Sequence, residues 1–294
     1  MEMTIETTAI SGSLTAAQID AYETQGYLVL ENLLDAEDMA PAHEAMQQKT
    51  QQIADELVRL GMVTETFPEE PLGTRLALLF EKLTDEDFVK CGRGWRDRLP
   101  GYFHLMSNPK ILDAVESLLG GELFANPVYN VRPKVPRVAA GDVPWHQDKS
   151  YWPDASANPV ITVWLALVEA NLQNGCLQLI PRTHRKKLLS SHAETYSGTG
   201  FIQTDEEHIA NSRDRAIAIP LPPGGAVLFN DRLIHMSMPN LSDVCRWSVD
   251  LRYQNTLQDR MPQHGAGFLA RSYQHPERVA KLDDWLANRC EHEA

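Results

Sequence analysis

Apolar residues recur at helical spacing through the first part of the chain and at strand spacing through the second. Thr15 and Gln18 form a capping-box pair ahead of Ile19 and Tyr22, and Gly26 is a stop signal. Tyr27–Leu30 then reads as a short buried strand. Asp35 and Asp38 open a second helix, with Met39, Met46, Ile53, Leu57 and Leu60 on one face and Gly61 at its end. A third helix covers 108–119, capped by Asn108 with Pro109 in the first turn. From Phe124 the period changes. Short apolar or alternating stretches at 124–132, 160–168, 176–180, 216–221, 226–230 and 245–253 are separated by Pro, Gly, Asn and Asp. Such punctuation predicts a β-sandwich or barrel. Val279, Leu282, Trp285 and Leu286 suggest a closing helix after Pro276. No repeat or linker interrupts the chain. The reading is therefore one domain: a helical part at about 14–120, a β core at about 124–255 and a C-terminal helix at about 276–289. Segments 67–73 and 192–215 read as long irregular loops, suited to a surface or a lid.

Composition narrows the function. The chain has 294 residues, 43% of them hydrophobic and 23% charged, which fits a globular protein and excludes disorder throughout. Forty acidic against 27 basic residues give a net charge of −13, a poor basis for nucleic-acid binding. The longest apolar runs fall short of a membrane span, and the start MEMTIETTAISG lacks signal-peptide features. Cys91, Cys176, Cys245 and Cys290 include no CxxC pair and read as free thiols. These features lead to the expectation of a cytoplasmic protein with a small-molecule partner, no nucleic acid and no membrane; they leave the oligomeric state open.

The strongest chemical signal is Trp145-His146-Gln147-Asp148. On an extended strand His146 and Asp148 would face the same side. They make two-thirds of the facial triad of two histidines and a carboxylate that holds Fe(II) with positions left open. His235, which follows the glycine turn and buried strand at 224–230, is the best third ligand. The other histidines fall outside the strand series or in polar stretches. In 245–253, Arg246, Ser248, Asp250 and Arg252 alternate with Cys245, Trp247, Val249, Leu251 and Tyr253. The polar face could simply meet solvent. Arg246, eleven positions after His235, also suits two-point binding of a carboxylate, with Ser248 adding a hydrogen bond. Lys149, Tyr151 and Trp152 follow the ligand pair directly and could form a substrate wall.

In order and spacing, these motifs resemble the phytanoyl-CoA dioxygenase family of Fe(II)/2-oxoglutarate oxygenases. The resemblance begins at 14–34 and continues through His146-Gln147-Asp148, Asn174-Gly175-Cys176-Leu177-Gln178-Leu179-Ile180-Pro181, His235 and Arg246-Trp247-Ser248. It implies a mainly β fold, a double-stranded β-helix (jelly roll, cupin-like) packed by the N-terminal helices. It implies iron at His146, Asp148 and His235, and 2-oxoglutarate at Arg246 and Ser248, with Trp164 near the cosubstrate. Asn130 and Arg132 become candidate contacts, Arg132 standing where many relatives have lysine. O2 would be the oxidant, succinate and CO2 the coproducts, and ascorbate an aid in vitro. Where the family often reads Pro-Gly-Ser-His, this chain has Pro181-Arg182-Thr183-His184, the start of a basic patch with Arg185, Lys186 and Lys187. A carboxylate at 148 argues for hydroxylation or desaturation, since related halogenases carry a small residue there. The substrate expected is a secondary metabolite or other small metabolite, and the net charge weighs against a CoA thioester. Two rivals remain: a metal-dependent hydrolase on the same triad, which does not need Arg246, and a non-catalytic jelly-roll binding module.

Overall fold

The computed structural model describes residues 13–91, 97–152, 159–193, 200–256 and 267–287. Helix α1 (Ala16–Gln25) carries the Thr15–Gln18 capping box and ends at Gly26, whose φ of 86° is left-handed. Strand β1 (Tyr27–Leu30) leads to α2 (Ala36–Arg59), capped reciprocally by Asp35 and Asp38. Three helices that 61–107 did not announce follow: α3 (Leu72–Phe80), α4 (Asp85–Cys91) and α5 (Pro100–Met106). Each is too short to show a clear apolar period. Gly101 lets α5 pack tightly on α2, since a Cβ there would lie 2.0 Å from the Pro41 carbonyl oxygen. Helix α6 (Pro109–Leu119) is the one capped by Asn108.

The strands are β2 (Leu123–Ala125), β3 (Asn130–Lys134), β4 (Ile161–Ala166), β5 (Leu177–Leu179), β6 (Ser191–Ala193) and β7 (Ile202–Thr204). After the one-turn helix α7 (Glu206–Ile209) come β8 (Ile217–Ile219), β9 (Ala226–Asn230), β10 (His235–Ser237), β11 (Arg246–Asn255) and β12 (Phe268–Arg271). The stretch 124–132 is thus two strands. Pro127 lacks an amide donor, and the Asn126 side chain accepts from the Val128 amide at 2.9 Å, making a turn between them. The described parts of segment 192–215, residues 192–193 and 200–215, are less irregular than their sequence suggests. The exposed β6 pairs with β7, and exposed strands show no apolar alternation. The closing helix is shorter than expected: a 3-10 turn at Pro276–Arg278, then α8 (Leu282–Leu286). Cys91, Cys176 and Cys245 are free, and Cys290 lies outside the described residues. No helix among the described residues is long and apolar enough to cross a membrane.

The large sheet runs β1-β9-β4-β11-β2-β12, with β3 also paired to β11. A second sheet runs β10-β5-β8. The large sheet is covered on both faces. Val163, Leu165, Trp247, Val249, Leu251 and Tyr253 pack against the helices, and Tyr253 Oη donates to the Met106 carbonyl at 2.9 Å. Trp164, Ala166, Val227 and Phe229 meet Leu177, Leu179 and Ile219 of the small sheet. Period-2 alternation therefore turns Arg246, Ser248, Asp250 and Arg252 toward the space between the sheets rather than toward solvent. That inward polar face is the floor of the site.

Candidate active site

A cavity of about 550 Å³ opens between the two sheets. His146, Asp148 and His235 all line it, and their ligand atoms lie within 4.8 Å of one another. The local backbone differs from the expected strand. His146 and His235 exchange both backbone hydrogen bonds, at 2.9 and 3.0 Å, in an isolated bridge. Asp148 instead begins a 3-10 turn running to Tyr151, because Gln147 is the last extended residue. The two side chains still converge: His146 Nε2 is 3.4 Å and His235 Nε2 3.9 Å from Asp148 Oδ1.

Both histidines are held in one tautomer. His146 Nδ1 donates to the Pro144 carbonyl at 2.8 Å and His235 Nδ1 to the Leu233 carbonyl at 2.9 Å. A carbonyl only accepts, so each Nε2 keeps a lone pair aimed at the cluster. Burial, with the His146 ring next, pushes His235 down to about 3, so its imidazole is neutral at physiological pH. Burial alone would raise the Asp148 carboxyl, but the Arg252 guanidinium beside it outweighs that and holds Asp148 well below the usual carboxylate range. Two imidazole nitrogens and one fixed carboxylate, all buried, are a donor set suited to a divalent first-row metal.

On the same cavity wall, Arg246 is 1% exposed and lies 5.2 Å over the Trp164 ring. Its guanidinium donates to Ser248 Oγ and, at 2.9 Å, to Ser237 Oγ. Its Nε has no partner, and among the described residues no carboxylate comes within ion-pair distance. Burial accordingly pushes Arg246 down to about 10. A buried charged fork left with neutral partners on a cavity wall is a receptor for an anion.

The remaining expected residues divide. Asn130, Arg132, Trp164, Tyr151 and Trp152 line the cavity. Arg132 Nε donates to Asp250 Oδ2 at 2.5 Å and stands at the rim, its guanidinium 5.8 Å over Phe201. Lys149 is not among the lining residues. In a 3-10 turn positions i and i+3 stack, so Asp148 and Tyr151 share the cavity side while Lys149 turns away and is buried beside Asp231. Ser248 is fully buried beneath Arg246 rather than on the wall. Ser237 is on the wall and was overlooked; its signal was its place two residues after His235, on the same face of β10. Also overlooked were the partners of Asp148. Arg252 Nη2 donates to Oδ1 at 3.0 Å and Thr162 Oγ1 to Oδ2 at 2.6 Å. Arg252 stood in the alternating polar face, and only the fold reveals what it meets.

The fold recurs among solved structures. The non-heme monooxygenase ThoJ matches with a TM-score of 0.59 and 18% identity, over 87% of this chain and 84% of that one. EctD from S. alaskensis, solved with 2-oxoglutarate and 5-hydroxyectoine, matches with a TM-score of 0.58 and 20% identity over 100% of this chain and 91% of that one. The phytanoyl-CoA dioxygenase model matches residues 22–248, and the chain belongs to that family. It is 28% identical to the mouse phytanoyl-CoA dioxygenase domain-containing protein 1 over 266 residues, covering 79% of this chain and 87% of the mouse protein. The protein is an Fe(II)/2-oxoglutarate-dependent dioxygenase, with iron, 2-oxoglutarate and O2 as its cofactor set.

Proposed function

We propose that this enzyme hydroxylates an unactivated C–H bond of a small metabolite, with release of succinate and CO2. His146, Asp148 and His235 would hold the iron, which when bound supplies the O2 chemistry. The chain's own contribution is positional. Nε2 of each histidine and Oδ1 of Asp148 present three donors from one side, leaving the cavity side for cosubstrate and O2. Arg246, steadied by Ser237 and Ser248 and backed by Trp164, would take the distal carboxylate of 2-oxoglutarate. Asn130 and Arg132, on β3 opposite Asp250 and Ser248, would be further contacts from the same cavity, and Tyr151 and Trp152 would wall the substrate. Burial of His146, Asp148, His235 and Arg246 keeps bulk water from the reacting centre.

The observation that carries this reading is the buried, carboxylate-free Arg246 in the same cavity as the triad. A hydrolase has no use for it, and a non-catalytic module needs neither. The hydroxylated molecule in the EctD structure supports the hydroxylation outcome. The test is a substrate screen for O2-dependent succinate release with Fe(II) and 2-oxoglutarate, with mass analysis of each hit. A gain of one oxygen, stoichiometric with succinate, is expected. Loss of two hydrogens would replace hydroxylation with desaturation, and hydrolysis without succinate would refute the reading.

A further inference from the structure

The Asp148 carboxylate is gripped from behind by a pair of residues that face each other across the large sheet. Arg252 on β11 and Thr162 on β4 are cross-strand partners. Thr162 Oγ1 donates to Asp148 Oδ2 at 2.6 Å, and Arg252 donates to the same oxygen from Nε at 3.2 Å and from Nη2, shared with Oδ1, at 3.1 Å. A carboxylate oxygen offers about two lone-pair positions, so Oδ2 is saturated by protein. Oδ1 takes Arg252 Nη2 at 3.0 Å and keeps its other side toward His146 Nε2 and His235 Nε2. Arg252 is itself immobilised: Nη1 donates to the Val128 carbonyl at 3.1 Å, and the guanidinium lies 5.5 Å over the Trp152 ring. Neither charge of the pair meets solvent.

Resting on the reading of His146, Asp148 and His235 as metal ligands, we propose that Arg252 and Thr162 are positioning residues that fix Asp148 so that Oδ1 alone is offered to the metal. Without this grip the carboxylate is free to turn and chelate through both oxygens. That would occupy a coordination position that the two-point binding of a keto acid requires. The role needs the planar fork of arginine, which holds both oxygens at once; an ammonium at the same place supplies charge without the second contact.

The test uses Co(II) as probe. Metal-free wild type, Arg252→Lys, Arg252→Met and Thr162→Val are titrated with Co(II), followed by its visible absorption, and the loaded proteins are then titrated with 2-oxoglutarate. Circular dichroism checks folding. The Co(II) dissociation constant is expected to rise about 10–100-fold in both Arg252 variants, and about 5-fold in Thr162→Val, which loses one hydrogen bond. The Co(II) spectrum should change, and 2-oxoglutarate should bind the loaded Arg252 variants more weakly. Arg252→Lys with wild-type affinity and spectrum overturns the proposal, because charge alone would then suffice. If the Arg252 variants do not fold, Thr162→Val decides: unchanged Co(II) affinity and spectrum overturn it. Failure of wild type to bind Co(II), or unimpaired binding by His235→Ala, instead refutes the metal-centre reading beneath it.

Discussion

Arg246→Met is expected to weaken 2-oxoglutarate binding at least about 30-fold, or about 2 kcal/mol, with little loss of stability in the ligand-free fold. Burial pushes the folded-state value of Arg246 down to about 10, and a depressed base is one whose charged form the fold disfavours. Keeping it charged at neutral pH therefore costs folding about 3 kcal/mol. The sign follows: the cost is fully present at pH 7 and shrinks as pH rises through 10. Against it stand two hydroxyl hydrogen bonds, to Ser248 and Ser237, and the contact with Trp164. Each is worth roughly 1 kcal/mol. The ligand-free balance is thus near zero, whereas a bound carboxylate gains charge-assisted contacts that methionine cannot supply. Calorimetric titration of 2-oxoglutarate into Mn(II)-loaded protein measures the first effect and urea denaturation of metal-free protein the second. Unchanged cosubstrate affinity would take Arg246 out of the site. A stability loss well above 3 kcal/mol would refute the burial argument.

Asp148→Ala should give no hydroxylated product in a product analysis run with excess chloride, and should destabilise the metal-free fold by about 3 kcal/mol because buried Arg252 loses its hydrogen-bonded carboxylate and keeps only the longer ion pair with Asp250 at 3.8 Å; wild-type levels of hydroxylated product would show that Asp148 is not a required ligand. In metal-free protein, His235 refuses a proton that the unfolded chain accepts between pH 6.5 and about 3, so stability falls with pH across that window. His235→Gln should reduce that slope by about 1.4 kcal/mol per pH unit, read from urea midpoints between pH 6 and 4; an unaltered slope refutes the assignment. Gly175→Ala should cost more than about 1 kcal/mol: Gly175 has φ 86°, and a Cβ would lie 2.4 Å from the Met238 carbonyl oxygen and 2.7 Å from Lys134 Cε. A urea midpoint equal to wild type would contradict this.

Much of the site was legible because it obeys short-range periodicity. The i, i+2 alternation of 246–252 foretold a single polar face, and the sandwich of helices and small sheet decides that this face looks inward. His146 and Asp148 were read as same-side residues for a partly mistaken reason: a 3-10 turn, not a continued strand, presents Asp148. That same turn brings Tyr151 to the cavity, since period 2 would turn residue 151 away from Asp148 and period 3 stacks it on the same side, while Lys149 faces away under either. Helices α3–α5 escaped notice because seven to nine residues give too few apolar repeats to establish a period. Arg252 and Thr162 could not be assigned in advance. Their roles depend on cross-strand register, which brings residues 14 to 104 positions apart within hydrogen-bond reach.

Anaerobic addition of Fe(II) and then 2-oxoglutarate to the purified protein bears most directly on the central claim. A keto acid chelated to Fe(II) at the triad should produce a visible charge-transfer band in the wild type. The band should be missing from His235→Ala and should need far more 2-oxoglutarate to develop in Arg246→Met. No band in the wild type, or an undiminished band in His235→Ala, would contradict an iron and 2-oxoglutarate centre at His146, Asp148 and His235.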